Sequence, residues 1–141
     1  MTLLLSLHLL ALGIWIGVVA AEFVIEFDGM KDDVSYIKAA KFHFVTDIWI
    51  EIPAFMIVLL TGVLMMKGHH LEGLFLIKVI FGVLAVGFNI VCVYAVFRRR
   101  QYAMIGDIQG MRSTNPVMRL GSMIIPTFLV AFFLGMYFIF T

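Results

Sequence analysis

The chain has 141 residues, 63% of them hydrophobic and 13% charged, with a formal net charge of +1. Its mean hydropathy is +1.09. Soluble domains carry about 25% charged residues, so a soluble globular fold is excluded; the near-zero net charge offers no footprint for nucleic acid. The single cysteine, Cys92, excludes an internal disulfide and any CxxC redox or zinc motif.

Four apolar segments, about 3–26, 43–66, 73–98 and 118–140, predict an all-α integral membrane four-helix bundle built as one domain over 1–141. Strand alternation is absent, and helices satisfy their own backbone groups in lipid. Residues about 25–46, 67–73 and 98–119 are expected to be loops.

The first segment reads LLLSLHLLALGIWIGVVAAEFVIE. It lacks a basic leader and a small-residue cleavage site, so it is expected to remain as a spanning helix. Its rise covers roughly 36 Å, enough for the ~30 Å hydrocarbon core. It carries His8, and an ionisable side chain at that depth marks a functional site by default. His8, Trp15, Val19, Glu22 and Glu26 fall within about 40° of one helical line. Gly13 and Gly17 form a GxxxG helix-contact signal.

In the second segment only Ile52 to Met66 is free of charge. That stretch covers about 22 Å, too short to span. The helix must therefore draw Glu51 and Asp47 into the bilayer or its boundary. His43, Asp47 and Glu51 follow one another at intervals of four residues, which puts them on one face. With Glu22 and Glu26 this group either handles protons, binds a cation, or pairs with Lys41, Arg98 or Arg119. Pro53 predicts a kink. Trp49 fits an interfacial belt and Trp15, near mid-helix, does not. The segment ends in MMKGHH, where Met65, Met66, His69 and His70 offer thioether and imidazole ligands suited to copper.

The third segment aligns Lys78, Gly82, Ala85, Asn89 and Val96 on one face. Counted from Leu3 and Glu72, His8 and Lys78 both lie roughly 8–9 Å below the same surface. The fourth segment has no charge after Arg119 and reads as a wall marked by Ser122, Pro126, Thr127 and Gly135. The bundle should thus hold an outer His/Lys layer and an inner acidic one. Lys31, Lys38, Lys41, Arg98, Arg99, Arg100, Arg112 and Arg119 gather on one side and only Lys67 on the other. This predicts a plasma-membrane protein with loops one and three cytoplasmic and both termini outside. The run Arg98–Arg100 reads as a topology anchor in contact with anionic lipid.

A buried imidazole in an apolar setting suits haem iron. His8 is the candidate axial ligand, with Gly82 and Ala85 leaving room for a flat macrocycle. Lys78 serves as second ligand or propionate clamp. The alternative is that His8 bonds a neighbouring helix and Lys78 snorkels outward.

LHLLALGIWIG at 7–17, IPAFMIVLLTGVL at 52–64, LFLIKVIFGVLAVGFN at 74–89 and IPTFLV at 125–130 together resemble the HemJ-type protoporphyrinogen IX oxidase family. The first and third of these also resemble CopD copper-resistance membrane domains. The resemblance implies a bound haem b and an essential pair at His8 and Lys78. The chain departs from the HemJ pattern at Phe88-Asn89, where Tyr-His is usual, and at Ile124, where an acidic residue is usual. The expectation is a membrane haem redox protein taking electrons from a porphyrinogen or a quinol, with a homodimer plausible on the same resemblance. Its cofactor contacts would be His8, Lys78, Trp15, Gly82 and Asn89, with Lys78, Asp47 and Glu51 as catalytic groups. Copper transport through His69 and His70, or a membrane subunit without chemistry, are the alternatives.

Overall fold

A computed structural model of the protein describes residues 2–141. Among these residues there is no strand; the chain is a bundle of four helical spans, each long and apolar enough to cross a membrane. The first span is α1, Leu3–Gly29, capped by the Thr2 hydroxyl, which accepts from the Leu5 N–H. The second combines α2, Asp33–Thr46, a π-helical turn at Asp47–Glu51, and α3, Ile52–Met65. The third is α4, Gly73–Met104. The fourth is broken into α5, Ile108–Ser113, α6, Asn115–Gly121, and α7, Ile124–Phe140.

Two expected loops are instead helical. Residues 33–46 form α2, because Asp32 caps it by accepting from the Ser35 N–H at 2.8 Å, and α1 runs on to Gly29. Only residues 30–32 connect them, so α2 folds straight back onto α1. Residues 98–104 likewise prolong α4, and most of 108–121 is helical. Polar composition marked these stretches as loops, whereas packing of one face and good caps hold them as helix.

Pro53 and Pro126 each leave a mark. Pro53 cannot bond the Trp49 carbonyl and its ring crowds that oxygen. The ladder widens ahead of it, and the Ile52 N–H bonds the Asp47 carbonyl five residues back. The predicted kink at Pro53 is thus a π-turn that carries Asp47 and Glu51. Pro126 acts similarly on the Ser122 carbonyl, and the helix breaks at residues 122–123 between α6 and α7.

Helices α1 and α2–α3 pack as one antiparallel pair, α4 and α6–α7 as another, and α2 also lies against α4. The centre is an apolar plug around Trp15, with Ala11, Val19, Phe55, Val58, Ala85 and Phe128. Trp15 touches Phe128 edge-on at 5.8 Å and Phe55 at 6.1 Å between ring centres. Its indole N–H donates to Asn89 Oδ1 at 2.9 Å, so one side chain joins all four spans.

The GxxxG signal is not where helices meet. A Cβ on Gly13 or Gly17 would meet nothing within 4 Å, and both face outward. Close approach occurs at Gly29, where a Cβ would stand 2.6 Å from that of Ala39, and at Gly121, where it would stand 2.6 Å from Cys92 Cβ and 3.0 Å from its Cα. Gly121→Ala should cost about 1–3 kcal/mol by overpacking α6 against α4. Gly17→Ala should be neutral or slightly stabilising, since alanine is the better helix former by about 1 kcal/mol. Unfolding in mixed micelles, followed by circular dichroism, measures both.

Candidate functional site

The bundle holds two polar groups on opposite sides of the Trp15 plug. The outer one surrounds a cavity of about 390 Å³ lined from all four spans, including His8 and Trp15 of α1, Gly62 and Met65 of α3, Lys78 and Gly82 of α4, and Phe132 and Gly135 of α7. Its walls are otherwise almost wholly apolar. Such a volume with a few convergent polar groups is what ligand pockets show, at roughly 300–1,000 Å³.

His8 Nδ1 lies 2.8 Å from Thr61 Oγ1. The Thr61 hydroxyl is 2.6 Å from the Ile57 carbonyl oxygen one turn back and has a single proton to give, which goes there. The hydroxyl must therefore accept from His8, which fixes the proton on Nδ1. Nε2 keeps its lone pair. Lys78 is half buried; its Cε would lie 3.4 Å from a Cβ placed on Gly135, and its Nζ is 5.5 Å from the Phe75 ring centre. Among the described residues it has no carboxylate partner. His69, stacked on Phe75 at 5.2 Å, and Met66 also reach this cavity; His70 is exposed and does not line it.

Asn89 is not among the residues lining the outer cavity. It bonds Trp15 and borders a second cavity of about 350 Å³ on the inner side of the plug. Asp47 and Glu51 lie there also, grouped with Glu22 and His43, and the ligating atoms of these four side chains all fall within 4.8 Å of one another. Glu26 receives Arg99 through both terminal guanidinium nitrogens, Nη1 to Oε2 at 2.7 Å and Nη2 to Oε1, and accepts from His43 Nδ1 at 2.5 Å. The Thr46 hydroxyl stands 2.6 Å from Glu22 Oε1.

Among the inner acids Glu26 pairs with Arg99, not with Lys41, Arg98 or Arg119. Arg99 is 1% exposed, so it is no lipid anchor. The spacing that reveals it is Ala85, Asn89, Cys92, Val96, Arg99, an alternation of four and three residues that carries one face of α4 to the guanidinium. Thr61 extends a similar series, Ala54, Val58, Thr61. Trp49 is 76% exposed, as an interfacial residue should be.

Comparison with known proteins finds no matching family model, no matching curated protein and no matching solved structure.

Breaking a buried ion pair from one side leaves the other charge stranded, at a cost of about 3–5 kcal/mol. Arg99→Leu should lose stability of that order, and Arg99→Lys less, since lysine keeps the charge without the fork. Arg112→Ala, which breaks an exposed 3.0 Å pair with Asp33, should change stability by about 0–1 kcal/mol. The same micellar unfolding assay ranks the three.

Proposed function

We propose that the protein is a plasma-membrane redox protein that holds a b-type haem in the outer cavity and passes electrons from a reduced donor, a porphyrinogen or a quinol, to an acceptor. One observation carries the reading. His8 presents an imidazole nitrogen with a free lone pair, fixed by the Thr61 hydroxyl, in an apolar cavity that all four spans enclose. Haem iron asks for that donor in that setting.

The residues present fit the group. Gly62, Gly82 and Gly135 keep three walls of the cavity flat. Lys78, without a carboxylate partner among the described residues, would either give the iron a second ligand or meet a propionate as a cation. Trp15 closes the cavity toward the bundle centre and excludes water from that side. When bound, the haem supplies reversible one-electron chemistry, and the protein sets its orientation and surroundings. Asp47 and Glu51 do not line this cavity, so the redox reading does not use them. The resemblance to the HemJ family singles out the same pair, His8 and Lys78.

We orient the bundle by its basic residues, with the α1–α2 and α4–α5 connections cytoplasmic and both termini outside. Contacts from Arg112 to Asp33 and from the Tyr36 hydroxyl to Asn115 Oδ1 tie these two connections together at one end.

Copper has a specific observation in its favour: Met65, Met66 and His69 line the same cavity as His8, and thioether with imidazole suits that metal. The absorption spectrum of the purified protein decides. A Soret band is expected, lost in His8→Ala. Thr61→Val removes the partner of Nδ1 and should weaken haem retention about 10–100-fold, the usual effect of losing an outer-shell bond to a ligating histidine. In Lys78→Met a changed spin state identifies an axial ligand, and an unchanged spectrum with weaker retention identifies a propionate clamp. A colourless protein that binds Cu(I), and fails to in His69→Ala, establishes copper instead. A protein that takes up neither group is a membrane subunit without redox chemistry.

A further inference from the structure

We propose that the inner cluster is a binding site for one divalent first-row transition ion, held by His43 Nε2 and the carboxylates of Glu22, Asp47 and Glu51. The four residues are 3%, 4%, 0% and 3% exposed, respectively. Their ligating atoms lie within 4.8 Å of one another, close enough for one ion to bind all four. The site is independent of the haem reading and lies on the other side of the Trp15 plug.

Charge is the first argument. Three carboxylates are buried together, and among the described residues none of the three has a lysine or arginine within ion-pair distance. The nearby guanidinium, Arg99, is taken by Glu26. Buried carboxylates without a counter-charge are unstable in a low-dielectric interior.

Unpartnered atoms are the second. Both oxygens of Asp47 and Nε2 of His43 are buried without a hydrogen-bond partner. The carboxylates face one another acceptor against acceptor, which no hydrogen bond between them can satisfy when they are ionised.

The state of His43 is the third. Glu26 is bound to Arg99 and can only accept, so His43 Nδ1 carries the proton it donates at 2.5 Å. Its Nε2 then points at Glu22 Oε2, 3.4 Å away, and Asp47 Oδ1, 3.6 Å away. A histidine whose second nitrogen donates to a carboxylate is the usual arrangement behind a bound metal, since it fixes the ring and raises ligand basicity. The π-turn supplies Asp47 and Glu51 from adjacent helical turns, and such turns recur at functional sites. Mixed imidazole and carboxylate donors select Mn²⁺, Fe²⁺ or Zn²⁺ over Mg²⁺ and Ca²⁺, which favour oxygen alone. The inner cavity, bordered by Glu22, His43 and Glu51, gives the ion its path.

The test uses the full chain in detergent, stripped with a chelator and dialysed against Mn²⁺, with free Mn²⁺ read by electron paramagnetic resonance. One Mn²⁺ per chain is expected, displaced by Zn²⁺ and not by an equal concentration of Ca²⁺. Asp47→Asn, Glu51→Gln and His43→Gln should each weaken binding at least tenfold, and Glu26→Gln about 10–100-fold. Circular dichroism and gel filtration establish that each variant is folded. His8→Ala should bind as the wild type does, which separates failure here from failure of the haem reading. The double variant His69→Ala/His70→Ala should also retain the ion. The proposal is overturned if the wild type binds neither Mn²⁺ nor Zn²⁺, for the carboxylates then hold protons. It is equally overturned if folded Asp47→Asn binds normally, or if the loop double variant loses the ion.

Discussion

The bond on which the arrangement depends is the grip of Arg99 on Glu26. It joins α4 to α1, and through the Nδ1–H of His43 it reaches α2 as well. Three elements that lipid alone would leave free to slide are thereby fixed in register. The hydrophobic effect does not bring helices together in a bilayer, because tails are as apolar as leucine; packing and polar contacts between helices do. A forked guanidinium on a carboxylate is among the strongest of these. Its position at the end of the core, where α4 runs on past the apolar stretch, explains why α4 is 32 residues long and why α2 folds back along α1. Without the ion pair the two extensions would keep only apolar contacts such as Phe44 on Phe97 and the rim contacts of Tyr36 and Asp33.

Trp15 does for the middle what Arg99 does for the inner end. An indole N–H in an apolar plug must find an acceptor, and Asn89 supplies it from the opposite hairpin. That single amide explains why a polar residue stands at the centre of α4. It also divides the interior. On one side lies a cavity with an imidazole and an unpaired lysine; on the other, a cavity beside grouped carboxylates. The two compartments differ in what they can hold, since the ionisable groups lining the first are His8, His69 and Lys78, whereas Glu22, Glu26, His43 and Glu51 line the second.

The four spans and their polar faces were legible because lipid imposes a rule that composition displays directly: length, apolarity and the rarity of charge. His8, Trp15, Lys78 and Gly82 could be grouped by depth and helical phase alone, and the structure brings them around one cavity. The grouping of His43, Asp47 and Glu51 followed from their spacing. Helical phase puts Asn89 on the face of Lys78, but phase gives a face and not a depth, and Asn89 borders the inner cavity. Arg99 is masked by its neighbours, for in a run of three arginines only the four-and-three spacing carried down from Ala85 says which one turns inward. Gly13 and Gly17 misled because GxxxG marks a permissive surface, and contact requires a partner helix on that side; Gly29 and Gly121 have one. The helicity of α2 was concealed by charge, which in a membrane protein resembles a loop until the partner of each charged group is known.

The two buried histidines show how differently one side chain can be prepared. Both donate from Nδ1, and neither Nε2 makes a hydrogen bond within the protein. His8 donates to a hydroxyl, which is neutral and already bound to its own backbone. His43 donates to a carboxylate, which is charged and braced by arginine. A neutral brace holds the ring in place and adds no charge to an apolar cavity. A charged brace makes the imidazole a stronger donor toward an ion shared with its three carboxylate neighbours. The first environment favours a ligand that brings its own apolar surface. The second favours a small cation, and the difference arises from the three carboxylates around His43 together with the group that braces each ring, a threonine at 61 and a glutamate at 26.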